Sequence, residues 1–475
     1  MRLVRAPFAL AGNALNYGAG VVRPTNARRM TFEHSMLRTA TLCLVALGAV
    51  MVYSASSGTS LLTDGGDSSY YLKRYIASAV IGFIVLSVIS RGGLGLVRRM
   101  TPLLLAASLA GLLIVLVPGF GLEANGARRW LGAGPLQVQP SELAKLALVL
   151  YAAGLIAASP DRTRSLHGMR PLLLVAGTMA ALVLVEPDLG TAIVICLTLG
   201  ALLVVGGMKL RHVVFLAGAL AFLALVFSLA EPYRRERLTS FLNPWSDTEG
   251  AGFQSVQAMI AIGSGGPFGV GIGQSVQKLF YLPEAHTDMI LAVIGEELGF
   301  AGISVVLFLY GMIAYAGLRA ARMARDLYAK LLAAGITSVI VIQATVNFFA
   351  VLGVLPLTGV PLPFISYGNS NLIVLLAAMG ILINIAQEGG VAARGDDAKP
   401  ARRRLRVVEG GRAKPRPKPK SRPSQRKAAP RRASAKATKA RAVIRNLADG
   451  QDRDRSGRDS RARRAGAGGR RRAAR

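Results

Sequence analysis

Cysteine is nearly absent: Cys43 and Cys196 are the only two in 475 residues, and both lie inside apolar runs. A disulfide framework is therefore excluded, and the pair reads as packing residues. Charge is scarce as well. Only 17% of residues are charged while 52% are hydrophobic, and the mean hydropathy is +0.43, a balance that no soluble domain requires and that marks a polytopic membrane protein. Acidic residues are the scarcer sign, 25 against 57 basic, which leaves a net charge of +32. In a soluble chain that excess would point to nucleic acid. Here residues 391–475 alone hold 30 Lys and Arg against 7 Asp and Glu, so the charge belongs to the tail, and nucleic acid is not an expected partner. Also missing is a convincing cleavage site near the start: Arg2 and Arg5 precede an apolar stretch broken by Asn13 and Asn16. Residues 1–35 read as a cytoplasmic extension rather than a cleaved signal peptide. No internal repeat at a solenoid or propeller period is visible.

What is present is a series of apolar runs, each long enough to cross a hydrocarbon core about 30 Å thick as a helix of roughly 20 residues. Ten are expected, near 36–56, 74–90, 100–117, 142–159, 170–185, 190–206, 212–230, 289–318, 329–352 and 370–387. The fold class is therefore all-α, a membrane domain over residues 36–390 with a large loop between the seventh and eighth spans. With both termini in the cytoplasm, the clusters Arg91, Arg98 and Arg99, then Arg162, Arg164 and Arg170, then Arg319, Arg322 and Arg325 all fall inside, as the positive-inside rule requires. The polar loops 57–73, 118–141, 186–190, 231–288 and 353–369 then face outward, away from ATP. The tail, 391–475, is rich in Pro, Ala, Lys and Arg and cannot bury a core. It is expected to be disordered and drawn to anionic lipid of the inner leaflet.

The chemistry-bearing residues cluster in those outer loops. Tyr281-Leu-Pro-Glu-Ala-His-Thr-Asp288 runs straight into an apolar segment, putting His286 and Asp288 at the water–hydrocarbon boundary. Glu296 and Glu297 lie about 12–14 Å deeper at ~1.5 Å per residue, where a carboxylate either faces a polar cavity or packs against a Lys or Arg. Arg128, Arg129 and Trp130 join phosphate-binding guanidiniums to an interfacial aromatic. Ser141 is an expected helix cap, and Glu142 and Lys145, three apart, share a helical face either as a structural pair or as cavity lining. Glu186 and Asp188 occupy a Pro–Gly turn and would hold a neighbouring basic residue or a divalent cation, Mg or Mn, through oxygen ligands. In the largest loop Arg234, Arg235, Arg237 and Lys278 are expected to form a basic surface near Asp288. Its Gly263–Gly273 run is no nucleotide loop, because no strand–helix frame surrounds it; it reads as a close-packed or re-entrant segment. Leu355–Gly368 carries three prolines, a rigid wall from which Ser366 and Tyr367 would present hydroxyls to a sugar or headgroup.

Taken together, Tyr281–Asp288, Gly295-Glu-Glu-Leu-Gly299, Pro361-Leu-Pro-Phe-Ile-Ser-Tyr-Gly368, Glu186-Pro-Asp188 and Gln139-Pro-Ser-Glu142 closely resemble the SEDS family of bacterial cell-wall polymerases over about residues 36–390. Gly273-Gln-Ser-Val-Gln-Lys278 and the Pro-Glu-Ala-His-Thr-Asp wording look more like the family's division branch, FtsW, than its elongation branch, RodA. Two positions depart from the pattern. Thr358 stands where some division-type members carry lysine, and Gly368-Asn-Ser-Asn371 replaces the usual Gly-Gly-Ser-Ser. The resemblance implies a ten-helix glycosyltransferase of the cytoplasmic membrane, at the division septum, that polymerises lipid II on the outer face beside a class B penicillin-binding protein and other division-complex proteins. It also implies that the essential carboxylate is Asp288. A general base there would activate the acceptor hydroxyl, while Arg128, Arg129, Arg235, Arg237, Lys145 or a divalent ion would receive the departing diphosphate. The competing readings are a lipid II flippase and a non-catalytic scaffold.

Overall fold

The computed structural model describes residues 32–397 apart from 64–65, 125–126, 134–135, 231–234, 236–239, 251 and 279–280. Of the expected extension over 1–35, residues 1–31 lie outside the described residues and 32–35 are instead the start of the first helix; of the tail expected to be disordered from 391, residues 391–397 instead continue the last helix and 398–475 lie outside the described residues, as do Arg234 and Arg237. Each of the ten expected apolar runs coincides with a helix: α1 Phe32–Thr63, α2 Tyr70–Gly92, α3 Leu94–Leu116, α4 Pro140–Ala158, α5 Arg170–Val185, α6 Leu189–Val205, α7 Leu210–Ala230, α9 Ile290–Met323, α10 Leu327–Val351 and α11 Asn369–Asp397. A further short helix, α8 Phe253–Gly265, lies in the large loop. By length and hydropathy seven of these (α1–α4 and α9–α11) are able to cross a membrane, while α5, α6 and the apolar part of α7 are shorter. The chain is an all-α polytopic membrane protein.

Local chemistry sets where several helices begin. Asp188 caps α6 by accepting from the Thr191 N–H at 3.0 Å, and Asp326 caps α10 by accepting from the Ala329 N–H at 2.7 Å. At α4 the structure corrects the expected cap. The helix starts two residues earlier, with Gln139 at the cap and Pro140 as its first residue, and Ser141 Oγ is buried without a partner rather than bonded to an amide. Pro140 fills the starting position because its missing N–H would be unbonded there anyway.

Loop 118–141, expected only as a polar outward-facing loop, folds as a three-stranded antiparallel sheet, β1 Gly121–Ala124, β2 Ala127–Ala133 and β3 Leu136–Val138, in the order β1-β2-β3. In the core α11 lies along α2, α9 packs between α1 and α10, and α4 and α6 pack on α10. The apolar side chains turned outward, such as Leu174, Phe222 and Phe308, are what a helix facing lipid presents rather than an aggregation hazard.

α9 is broken at Gly299, whose φ of +66° is a left-handed conformation that favours glycine. Residues 266–271 bond into that break. The N–H groups of Val270 and Gly271 donate to the Glu296 and Glu297 carbonyls at 2.9 and 3.0 Å, and those of Phe300 and Ala301 donate back to Gly266 and Pro267 at 2.9 and 3.0 Å. The glycine-rich run is therefore the close-packed segment expected, and it satisfies backbone groups that the break would otherwise orphan.

Candidate functional site

Asp288 ends a loop, 281–289, held from three sides. Its own carbonyl accepts from Asn347 Nδ2 on α10 at 2.7 Å, and the His286 carbonyl accepts from the Tyr367 N–H at 2.9 Å. The rings of Tyr71 and His286 lie 4.2 Å apart, centroid to centroid, with Tyr367 4.9 Å from Tyr71. Within the loop, the Thr287 hydroxyl stands 3.0 Å from Glu284 Oε2 and 3.2 Å from Asp288 Oδ1. Asp288 itself is half-buried, with Oδ2 beside Gly359, 3.9 Å from where a β-carbon would stand. Gly359 has φ +67°, so its missing side chain serves both the turn and the room beside the carboxylate.

The proline-rich wall is anchored as firmly. The hydroxyls of Tyr310 and Tyr75 donate to the carbonyls of Pro363 and Phe364, and Asn347 Nδ2 reaches the Val360 carbonyl at 2.8 Å. Asn347 thus ties Asp288 and this wall to the same helix. Ser366 corrects its expectation: it is buried, and its Oγ accepts from the Leu362 N–H at 2.7 Å, so it fixes the wall's shape and presents no hydroxyl. Tyr367 is half-buried and contributes its ring to the aromatic cluster.

The Glu186–Gly190 turn packs against the other side of the wall, where a β-carbon on Gly190 would meet the Thr358 carbonyl at 2.5 Å. Arg129 on β2 holds the turn, its Nε donating to the Glu186 carbonyl at 3.0 Å and its terminal nitrogen to that of Pro187. Gln139 Nε2 donates to Asp188 Oδ2 at 3.3 Å. The Glu186 carboxyl is buried with neither oxygen bonded; burial, then the neighbouring Asp188, push it up to about 8, with Arg129 drawing it back. This turn does not fit a resident divalent cation. It offers two carboxylates, its carbonyls are taken by a guanidinium, and among the described residues no three His, Cys, Asp or Glu converge.

Beneath the wall, Glu142 and Lys145 form the expected pair at 3.0 Å, both almost wholly buried. Lys145 also donates to Gln343 Oε1 at 2.8 Å, and Gln343 Nε2 to the Pro361 carbonyl at 3.0 Å. That chain links the pair to the wall beside Asp288.

The remaining candidates divide between buried and exposed positions. Lys278 is a correction: instead of joining a basic surface it is buried, its Nζ 2.8 Å from Glu297 Oε1 and 3.1 Å from Ser54 Oγ. Glu296 is occupied as well, accepting from the Ser275 hydroxyl and, at 3.0 Å, from the Val276 N–H. Both glutamates fasten 275–278 to α9. Arg128 and Arg235 are exposed, and Trp130 is half-buried on β2.

Sequence reasoning missed Gln343, Asn347 and Tyr71. The first two carried a signal: two amides four apart on one face of an otherwise apolar helix, where an unpaired polar group is costly.

The chain is similar to proteins already known. The FtsW/RodA/SpoVE family model, described as cell cycle protein, matches residues 34–390. Stage V sporulation protein E of Bacillus subtilis is 41% identical over 350 residues, 73% of this chain and 95% of that protein. A probable peptidoglycan glycosyltransferase FtsW of Thioalkalivibrio sulfidiphilus is 43% identical over 352 residues, 73% of this chain and 88% of its own. Among solved structures, a chain of a peptidoglycan synthase complex superposes with TM-score 0.62 at 30% identity, covering 74% of this chain and 97% of that one. The rod shape determining protein RodA of Thermus thermophilus gives TM-score 0.55 at 29% identity, covering 74% and 96%.

Proposed function

This chain belongs to the FtsW/RodA/SpoVE family, and from that premise we propose that it is a peptidoglycan glycosyltransferase that polymerises lipid II into glycan strands on the outer face of the cytoplasmic membrane during division. The observation that carries the reading is the half-exposed Asp288 carboxylate, on a loop fixed by Asn347, Tyr367 and the Tyr71–His286 contact, with the missing Gly359 side chain leaving room beside it. Lipid II brings its own leaving group, an undecaprenyl diphosphate, so no nucleotide is needed.

In the proposed step an Asp288 oxygen takes the proton of the acceptor sugar's 4-hydroxyl as that oxygen attacks the donor's anomeric carbon. The carbon–oxygen bond to the diphosphate breaks, configuration inverts, and the diphosphate leaves as an anion. General-base help of this kind is worth about 10²–10⁴-fold. Arg128 and Arg129 on β2 are the cations proposed to receive the leaving charge. Because the solved relative comes from a synthase complex coordinating polymerization and crosslinking, the expected partner is a crosslinking class B penicillin-binding protein.

The test is glycan synthesis from lipid II in detergent by the purified protein, alone and with its penicillin-binding partner. Long glycan strands are expected. A flippase would make none in detergent and would act only across a sealed bilayer.

A further inference from the structure

Glu284 holds its backbone at φ +55°, in the left-handed region that a residue with a side chain adopts only at a cost. Glycine would make this turn with less strain, so the turn by itself does not account for a glutamate here. What the conformation achieves is a meeting of two carboxylates on one hydroxyl. Thr287 Oγ1 lies 3.0 Å from Glu284 Oε2, 3.2 Å from Asp288 Oδ1 and 3.0 Å from the Glu284 carbonyl. The Thr287 N–H donates to that carbonyl as well, also at 3.0 Å, which closes the turn whatever the hydroxyl does. Glu284 is exposed, while Thr287 and Asp288 are half-buried.

A hydroxyl has one proton to give, and charged carboxylates take it in preference to a carbonyl. Pointed at Asp288, that proton stabilises the charged carboxylate and weakens it as a base. Pointed at Glu284, it turns an oxygen lone pair towards Asp288 Oδ1, which disfavours the charged form and strengthens the base. Glu284 is the nearer of the two, at 3.0 against 3.2 Å, and its own negative charge acts on Asp288 in the same direction. Around them, His286 packs with the rings of Tyr71 and Tyr367, α10 brings the uncharged Asn347, and the wall 355–368 carries no charged residue. Glu284 is the charged neighbour that shares a donor with Asp288. We propose that Glu284 is a positioning residue for the transfer, drawing the Thr287 proton away from Asp288 and so keeping Asp288 basic enough to accept the proton of the acceptor hydroxyl. The proposal rests on the reading of Asp288 as general base above.

The experiment is the pH profile of kcat/KM for lipid II, measured on the full-length protein with its penicillin-binding partner, in a cycle of Glu284→Gln, Thr287→Val and the double variant. Glu284→Gln puts an amide where the carboxylate stood, and the Thr287 proton turns to Asp288. The acid limb of the profile is then expected to move down by about half a pH unit, and the plateau to fall about threefold. In the Thr287→Val background there is no proton to redirect, only a water-screened charge to lose. There the same change is expected to move the limb under about half as far. Equal shifts in the two backgrounds overturn the proposal, because Glu284 would then act by charge or shape alone; a limb that Glu284→Gln leaves in place overturns it too. Wild-type protein that makes no strand from lipid II instead sinks the glycosyltransferase reading and this proposal with it, so the two failures are told apart.

Discussion

Asn347 shows how much rests on one amide. Its nitrogen serves both the Asp288 and the Val360 carbonyls, at 2.7 and 2.8 Å, from a buried position on α10. Asn347→Leu keeps the size and removes both bonds, at about 1–3 kcal/mol for each carbonyl left unpaired. It is expected to lower thermal stability and cut glycan synthesis at least tenfold, read by calorimetry and by strand yield. Glu186 gives the opposite sign of effect. Its folded value of about 8 lies above the ordinary 4.5, so the folded state keeps a proton that the unfolded chain loses. Stability from this group is therefore full below about 4.5 and falls as pH rises towards 8. Thermal melts across that window should show a steeper decline for the wild type than for Glu186→Gln, by an amount on the order of a few kcal/mol. Equal slopes would mean that Glu186 is charged throughout.

At the scale of elements, the kink in α9 and the segment locked into it behave as one unit. Gly299→Ala forces a side chain onto φ +66° and against the Gly269 amide, 2.3 Å from the new carbon. A loss of about 1–3 kcal/mol from the backbone alone is expected, with the steric contact adding to it. The Lys278–Glu297 pair is the second clasp. Lys278→Met strands a buried carboxylate and should cost roughly 3–5 kcal/mol, whereas Lys278→Met with Glu297→Gln should recover most of it, a double-mutant cycle read by denaturation.

These elements also show what was legible in the sequence. The ten apolar runs were, because hydrocarbon imposes one long helix per crossing. The Asp288 loop was, because polar groups rarely crowd the edge of a span without reason. The β1–β3 sheet was not: strands of 4, 7 and 3 residues are too short for alternation to show. Nor was the fate of Lys278, whose partner Ser54 lies 224 positions away. Ser366 read as a presented hydroxyl only because nothing in the order of residues reveals that its Oγ bonds back to Leu362.

For the whole molecule, the fold converges several polar loops on one place within an otherwise apolar helical body. The wall 355–368 meets Asp288 through Asn347, the Glu186 turn through Gly190, and the buried Glu142–Lys145 pair through Gln343. Catalysis by positioning needs such over-determination, since a reacting group displaced by an ångström loses much of its rate. The most direct measurement is therefore glycan synthesis from lipid II by the purified complex carrying Asp288→Asn, an isosteric change that removes the base and leaves the main-chain bond to Asn347 in place. The account predicts a drop of about 10²–10⁴-fold with an unchanged melting temperature; strand synthesis at the wild-type rate would contradict it.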